Sequence, residues 1–245
     1  NAVAPTGEAE RRQLTVMFCD LVGSTALSTE LDPEDLREVI RAYQDACAKV
    51  IAQYDGYIAK YMGDGVLVYF GYPQAHENDA ERAARAGLDL VAAVAELGPA
   101  QTALPEADLA VRVGIDTGLV VVGDIVGEDA AEEASVVGET PNVAARLQAL
   151  AEPGQVVIGP LTRELVGDAF TFDDLGEHHL KGIATPIRAW RVLREDAAED
   201  RDAAKWVGGG LPLVGRREEL GLLVRSWEAS KEGHGQAVLI QVEAG

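Results

Sequence analysis

Two aspartates, set in two different kinds of turn, are the residues of this chain best suited to chemistry. Asp20 closes the apolar run Leu14-Thr15-Val16-Met17-Phe18-Cys19 and opens into Leu21-Val22-Gly23-Ser24-Thr25. Asp64 sits between Gly63 and Gly65, after Lys60-Tyr61-Met62 and before Val66-Leu67-Val68-Tyr69-Phe70. Two carboxylates at strand ends, beside a loop with exposed backbone N–H groups, suit a divalent cation on a nucleoside triphosphate. Mg²⁺ is usually held by one or two carboxylates plus substrate phosphates, and N–H groups at a helix N-terminus receive anions. Taken singly, Asp20 reads equally well as a helix cap and Asp64 as a turn residue.

The elements around them decide whether the two carboxylates meet. Residues 12–19 read as a buried strand, and residues 23–31 open a short helix. Asp32-Pro33-Glu34-Asp35 is a helix start, with Asp as N-cap, Pro at the first helical position and acids in the first turn. Leu36, Val39, Ile40, Tyr43, Cys47, Val50 and Ile51 continue it at helical spacing, and Asp55-Gly56 ends it. Residues 57–62 and 66–70 flank Gly63-Asp64-Gly65 as a hairpin. A second long amphipathic helix over 77–97 precedes a strand over 109–115. This β-α-β-β-α-β order is the ferredoxin-like pattern, an α+β fold with an antiparallel-rich sheet. In that topology the first and third strands are antiparallel neighbours. Asp20 and Asp64, 44 positions apart, are therefore expected side by side.

Beyond this core the spacing predicts a β-rich stretch over 119–127, an acidic loop over 128–133 and a helix over 141–151. A strand over 155–158, a short helix over 161–166 and strands over 170–175 and 187–193 follow. Residues 1–11 read as a tail, 12–194 as one domain and 195–210, closing on Gly208-Gly209-Gly210, as a linker. The remaining 211–245 are too few to bury a core of their own and read as the cut start of a second domain.

Residues 12–193 resemble the catalytic domain of the class III nucleotidyl cyclases, the adenylyl and guanylyl cyclases. Phe18-Cys19-Asp20-Leu21-Val22-Gly23-Ser24-Thr25 and Met62-Gly63-Asp64-Gly65 match that family's two metal aspartates. Asn142-Val143-Ala144-Ala145-Arg146 is similar to its Asn and Arg helix motif, and Arg112-Val113-Gly114-Ile115-Asp116-Thr117-Gly118 to its fourth-strand signature. Four blocks in register carry far more weight than a lone Gly-Asp-Gly.

The resemblance implies that Asp20 and Asp64 bridge two Mg²⁺ or Mn²⁺ ions per site. Such pairs, about 3.5–4 Å apart, stabilise both the attacking and leaving oxygens of an in-line displacement. It implies that the ribose 3′-hydroxyl attacks the α-phosphate, with Asn142 orienting the ribose and Arg146 neutralising the transferring phosphate. Asn142 and Arg146 are four apart and share a helix face, which an exposed polar stripe would also explain. Lys181 resembles the family's triphosphate-contacting lysine, against the reading of a solvated lysine in a turn. The backbone of Val22, Gly23, Ser24 and Thr25 would cradle phosphates.

Base choice falls on Lys60 and Ser135. A lysine four residues before the second aspartate is the adenine-reading residue of the family, where guanylyl cyclases tend to be acidic. Ser135 stands where many adenylyl cyclases have Asp and one subgroup tends to have Thr. A hydroxyl can accept from an adenine amino group or donate to a guanine carbonyl. The expectation is an adenylyl cyclase acting on ATP as a homodimer, with each site shared between two chains. The rivals are a guanylyl cyclase and a catalytically silent cyclase-like module. A third rival, a polymerase-palm or diguanylate-cyclase-like enzyme, shares the core and metal logic, and the missing diguanylate Gly-Gly-Asp/Glu-Glu-Phe hairpin counts against it. Residues 127–135 match the place of the family's dimerisation arm. Leu213-Val214-Gly215-Arg216-Arg217-Glu218-Glu219-Leu220 resembles the opening of a signal-transduction ATPase domain in some bacterial regulators.

Composition bounds these readings. A net charge of −20 disfavours nucleic acid and anionic membranes as partners, so a triphosphate would have to arrive with its metal and meet local cations. No apolar run reaches membrane-spanning length, and the first residues lack a signal-peptide apolar region, which points to a cytoplasmic segment. Cys19 and Cys47 fall within an apolar strand and a helix pattern and read as buried free thiols. His76, His178, His179 and His234 are scattered and carry no assigned role.

Overall fold

The computed structural model describes residues 10–100, 109–124, 134–196, 225–227 and 231. The chain divides into two units, Asn1–Ala197 and Ala198–Gly245. In the second, residues 225–227 and 231 are helical. The linker and ATPase-like readings fall mostly outside the described residues.

The first unit is built in the order β1 (Glu10–Leu21), α1 (Ser24–Glu30), α2 (Pro33–Gln53), β2 (Tyr57–Met62), β3 (Gly65–Phe70), α3 (Asp79–Ala100) and β4 (Val111–Asp124). It continues with β5 (Ala134–Val137), α4 (Glu139–Leu150), β6 (Gln155–Ile158), α5 (Pro160–Val166), β7 (Phe170–His178) and β8 (Ile187–Glu195). One sheet runs β2-β3-β1-β4-β6-β8-β7, with β5 paired to β4 alone. All neighbours are antiparallel except β4 with β6. The stretch β2-β3-β1-β4 is the ferredoxin-like core expected from the spacing.

Alternation along β1 divides the molecule into layers. Met17, Cys19 and Leu21 join the main core with Val39, Tyr43 and Cys47 of α2 and Ala83, Ala86 and Leu90 of α3. Leu14 and Val16 face the other way, towards Ala144 of α4. Such alternation is what a strand covered on both faces requires. Cys19 and Cys47 are buried free thiols, as expected, and the Tyr43 hydroxyl donates to Cys19 Sγ at 3.5 Å. Asp32 does occupy the N-cap of α2 with Pro33 behind it, though its side chain makes no capping hydrogen bond.

β4 corrects one expectation. Residues 109–115 and 119–127 read as separate β stretches because Asp116-Thr117-Gly118 has turn composition. The structure runs one strand from Val111 to Asp124 through them. Asp116 and Thr117 are both buried. Thr117 Oγ1 sits 2.9 Å from both Thr15 Oγ1 and Thr162 Oγ1, a chain of hydroxyls that satisfies its polarity inside the sheet. β5, unforeseen, pairs back on the far end of β4. The expected dimerisation arm, 127–135, lies mostly outside the described residues.

Candidate active site

β1 and β3 pair with Cys19 opposite Val66 and Asp20 opposite Gly65. Asp64, one residue before Gly65, is therefore carried to the end of β1. Gly63 makes the turn at φ +69°, a left-handed value that favours glycine. From the first turn of α1, the Ser24 hydroxyl donates to Asp64 Oδ2. Three elements thus converge: the end of β1, the β2–β3 turn and the start of α1.

The two carboxylates bear on each other electrostatically. Partial burial pushes the Asp20 carboxyl above the usual carboxylate range, and the negative charge of Asp64 pushes it the same way. Arg112, directly opposite on β4, pulls it back down. Two neighbouring carboxylates resist ionising together unless a cation joins them. Their oxygens are hard donors of the kind that Mg²⁺ and Mn²⁺ take. Among the described residues no group of three or more His, Cys, Asp or Glu is placed to hold a metal. The donor set therefore fits a cation that completes its shell with substrate phosphates and water, and does not fit an all-protein cage.

Arg112 is a residue whose place the sequence leaves unspecified. Its Nε is buried with no hydrogen-bond partner among the described residues. A guanidinium opposite Asp20, with one donor unused, is a cation set at the carboxylate corner of an otherwise acidic chain. The available signal was its spacing of two from Gly114, which puts both on one face of β4.

The loop after β1 differs in one respect from expectation. The Val22 N–H donates to Ala110 C=O at 2.8 Å and is not free for phosphate. Gly23 precedes α1 at φ +75°. The first N–H groups of a helix have no partner within it, so those of Gly23, Ser24 and Thr25 are the part of this loop that an anion could engage.

The other expected residues are spread over α4, β2, β5 and the loop after β7. Asn142 and Arg146 lie exposed on α4, one turn apart. Arg146 Nε donates to the Lys181 carbonyl at 3.1 Å, which joins α4 to the loop between β7 and β8. Among the described residues no hydrogen bond or ion pair joins Arg146 or Lys181 to either aspartate. Lys60 is exposed on β2, opposite Leu67 of β3, just past a bulge in the β2–β3 pairing. Ser135 is on β5, opposite Gly123. Within one chain Arg146 is thus tied to the backbone of Lys181, and Asp64 to Ser24.

The family described as the adenylate and guanylate cyclase catalytic domain matches residues 8–193. The chain belongs to this family. Its cyclase domain is 32% identical to the adenylyl cyclase CyaB from P. aeruginosa, with a TM-score of 0.73 over 77% of this chain and 97% of that one. It is 34% identical to the guanylyl cyclase Cya2, with a TM-score of 0.74 over 79% of this chain and 97% of that one. An uncharacterized protein of Rhizobium meliloti (strain 1021) is 37% identical over 96% of this chain and 22% of its own length. The chain spans about a quarter of the length of the first curated relatives that it matches. Among the described residues no helix of the cyclase domain is long and apolar enough to cross a membrane.

Proposed function

We propose that this cyclase domain converts ATP to 3′,5′-cyclic AMP and pyrophosphate, at sites shared between two copies of the chain. The observation that carries the reading is the opposition of Asp20 and Gly65, which sets two mutually repelling carboxylates in one corner. Asp20 and Asp64 are the residues that would hold two divalent cations, Mg²⁺ or Mn²⁺. When bound, these supply charge neutralisation on the phosphates and favour ionisation of the ribose 3′-hydroxyl.

The remaining work belongs to the chain. Arg112, beside Asp20 with an unused donor, and Lys181 offer positive charge to the triphosphate. The free N–H groups of Gly23, Ser24 and Thr25 face its oxygens. Asn142 holds the ribose, and Arg146 meets the charge that develops on the α-phosphate. The 3′-oxygen forms a bond to the α-phosphorus as the bond to the β-phosphate oxygen breaks. The hydroxyl proton leaves to solvent, and pyrophosphate carries off the electron pair. In the two-fold pair the aspartates of each copy face Asn142 and Arg146 of the other, in keeping with the lack, among the described residues, of any hydrogen bond or ion pair joining the two sets within one chain.

Lys60 favours adenine, by donating to a ring nitrogen. Guanine is the second reading, supported by a 34% identity to a guanylyl cyclase as high as that to an adenylyl cyclase. The experiment is direct. The purified chain is supplied with Mg²⁺ or Mn²⁺ and with ATP or GTP separately, and the product is identified by mass. Cyclic AMP in excess supports the proposal, cyclic GMP in excess replaces it with the second reading, and neither product refutes both.

A further inference from the structure

Gln148 has no part in the function argued above, yet it touches Asp20. It lies near the end of α4, where that helix is pressed against β4 at Gly114. A Cβ on Gly114 would fall 2.1 Å from the Gln148 backbone nitrogen and 2.3 Å from the Ala144 carbonyl oxygen, so only glycine permits this approach. From that seat Gln148 Nε2 donates to Asp20 Oδ2 at 3.5 Å. The contact is long, as hydrogen bonds in active sites often are before ligands bind. Arg112 stands opposite the same aspartate. Asp20 is thereby approached from α4 on one side and from β4 on the other.

The helix has two functional faces. Asn142 and Arg146 are exposed on one. Gln148 is roughly 200° round the helix from Arg146 at 100° per residue, and points into its own sheet. An amide suits this position, because it donates to a carboxylate without adding a charge that would compete with a cation or repel one.

We infer that Gln148 is a positioning residue for Asp20 of its own chain, tying one carboxylate oxygen to α4 and leaving the other for the cation. The contact stands on the geometry alone; its effect on turnover rests on the cyclase reading above. One helix then serves two sites of a pair: its own through Gln148, and the partner's through Asn142 and Arg146.

The test uses Gln148→Met, which keeps the length and loses the donor, and Gln148→Asn, which keeps the amide one methylene short. Mn²⁺ binding to the nucleotide-free chain is followed by electron paramagnetic resonance. Outer partners of metal ligands typically matter by about 10–100-fold, so both variants should bind Mn²⁺ about 10-fold more weakly while their unfolding midpoints stay at the wild-type value. Unchanged Mn²⁺ affinity in both variants overturns the inference.

Mixing experiments at sub-saturating Mg²⁺ separate the two faces of α4. Gln148→Met mixed with Arg146→Ala should regain about a quarter of wild-type activity per chain, because the mixed pair collects both lesions in one site and leaves the other whole. Gln148→Met mixed with Asp20→Ala should gain nothing over its own activity, because its aspartate is the only one left. Gain in that second mixture overturns the same-chain assignment. A wild-type chain that binds Mn²⁺ but makes no cyclic nucleotide would sink the functional reading, and the Mn²⁺ comparison would still decide for or against Gln148.

Discussion

Asp20 on β1 and Gly65 on β3 stand directly opposite one another. That single register position brings two carboxylates together from distant parts of the chain. A slip of one residue would send Asp20 to the other face of the sheet, because side chains alternate with a period of two.

Removal of either aspartate is expected to abolish cyclisation and leave the fold intact. Asp20→Ala and Asp64→Ala should each lose about three orders of magnitude or more in kcat/KM. The double variant should be scarcely worse, since residues that act as a unit are non-additive. Far-ultraviolet circular dichroism and steady-state kinetics check both halves. Near-normal turnover in either single variant would remove the two-cation mechanism.

Base selection is expected to follow Lys60. Lys60→Glu should lower kcat/KM for ATP and raise the relative use of GTP, with the ratio shifting by about 10-fold or more for one polar contact reversed in sign. An unchanged ratio would show that Lys60 does not read the base.

Assembly is tested by mixing Asp20→Ala with Arg146→Ala, each nearly inactive alone. At equal mixing and random pairing about half of the pairs are mixed, each with one intact site, so activity should approach about a quarter of wild type per chain. Recovery should depend on protein concentration. Failure despite demonstrated exchange of chains would place the whole site within one copy.

Asp116 should make the fold sensitive to pH. Burial pushes its carboxyl up to about 7; the nearby charge of Glu139 adds to this, and the Thr117 N–H opposes it. The folded state therefore prefers the neutral acid. The stabilisation is fully present below the unfolded value near 4 and is lost progressively as pH rises through about 7. A shift of about three units corresponds to roughly 4 kcal/mol. Urea unfolding from pH 4 to 8 should show stability falling across that window, and Asp116→Asn should flatten the slope. An identical slope in the variant would assign the pH dependence elsewhere.

The aspartate pair was legible in the sequence because it depends on short-range signals. A glycine turn, two apolar runs and a topology with few alternatives were enough to predict that Asp20 and Asp64 meet. α2 was legible from Asp32-Pro33 and its apolar stripe. The continuity of β4 was not, because burial of Asp116 and Thr117 is decided by what packs on them: Gly159, where a Cβ would lie 2.2 Å from Asp116 Oδ1, and the hydroxyls of Thr15 and Thr162. Gln148 was equally hidden. Its reach to Asp20 follows from how closely α4 rides on Gly114, a helix-to-strand distance that periodicity does not encode. The loss of the Val22 N–H to Ala110 has the same origin, a long-range backbone contact.

The two aspartates are carried by elements that sit differently in the sheet. β1 is hydrogen-bonded along both flanks, to β3 and β4, whereas β2, the outer arm of the hairpin bearing Asp64, is the margin of the sheet. Backbone amides of doubly flanked strands exchange with solvent only through extensive opening, while margins fray at much lower free-energy cost. The amides of β1 should therefore exchange more slowly than those of β2. Fraying of β2 would loosen one arm of the Asp64 turn, while β3, paired to both β2 and β1, would hold the other.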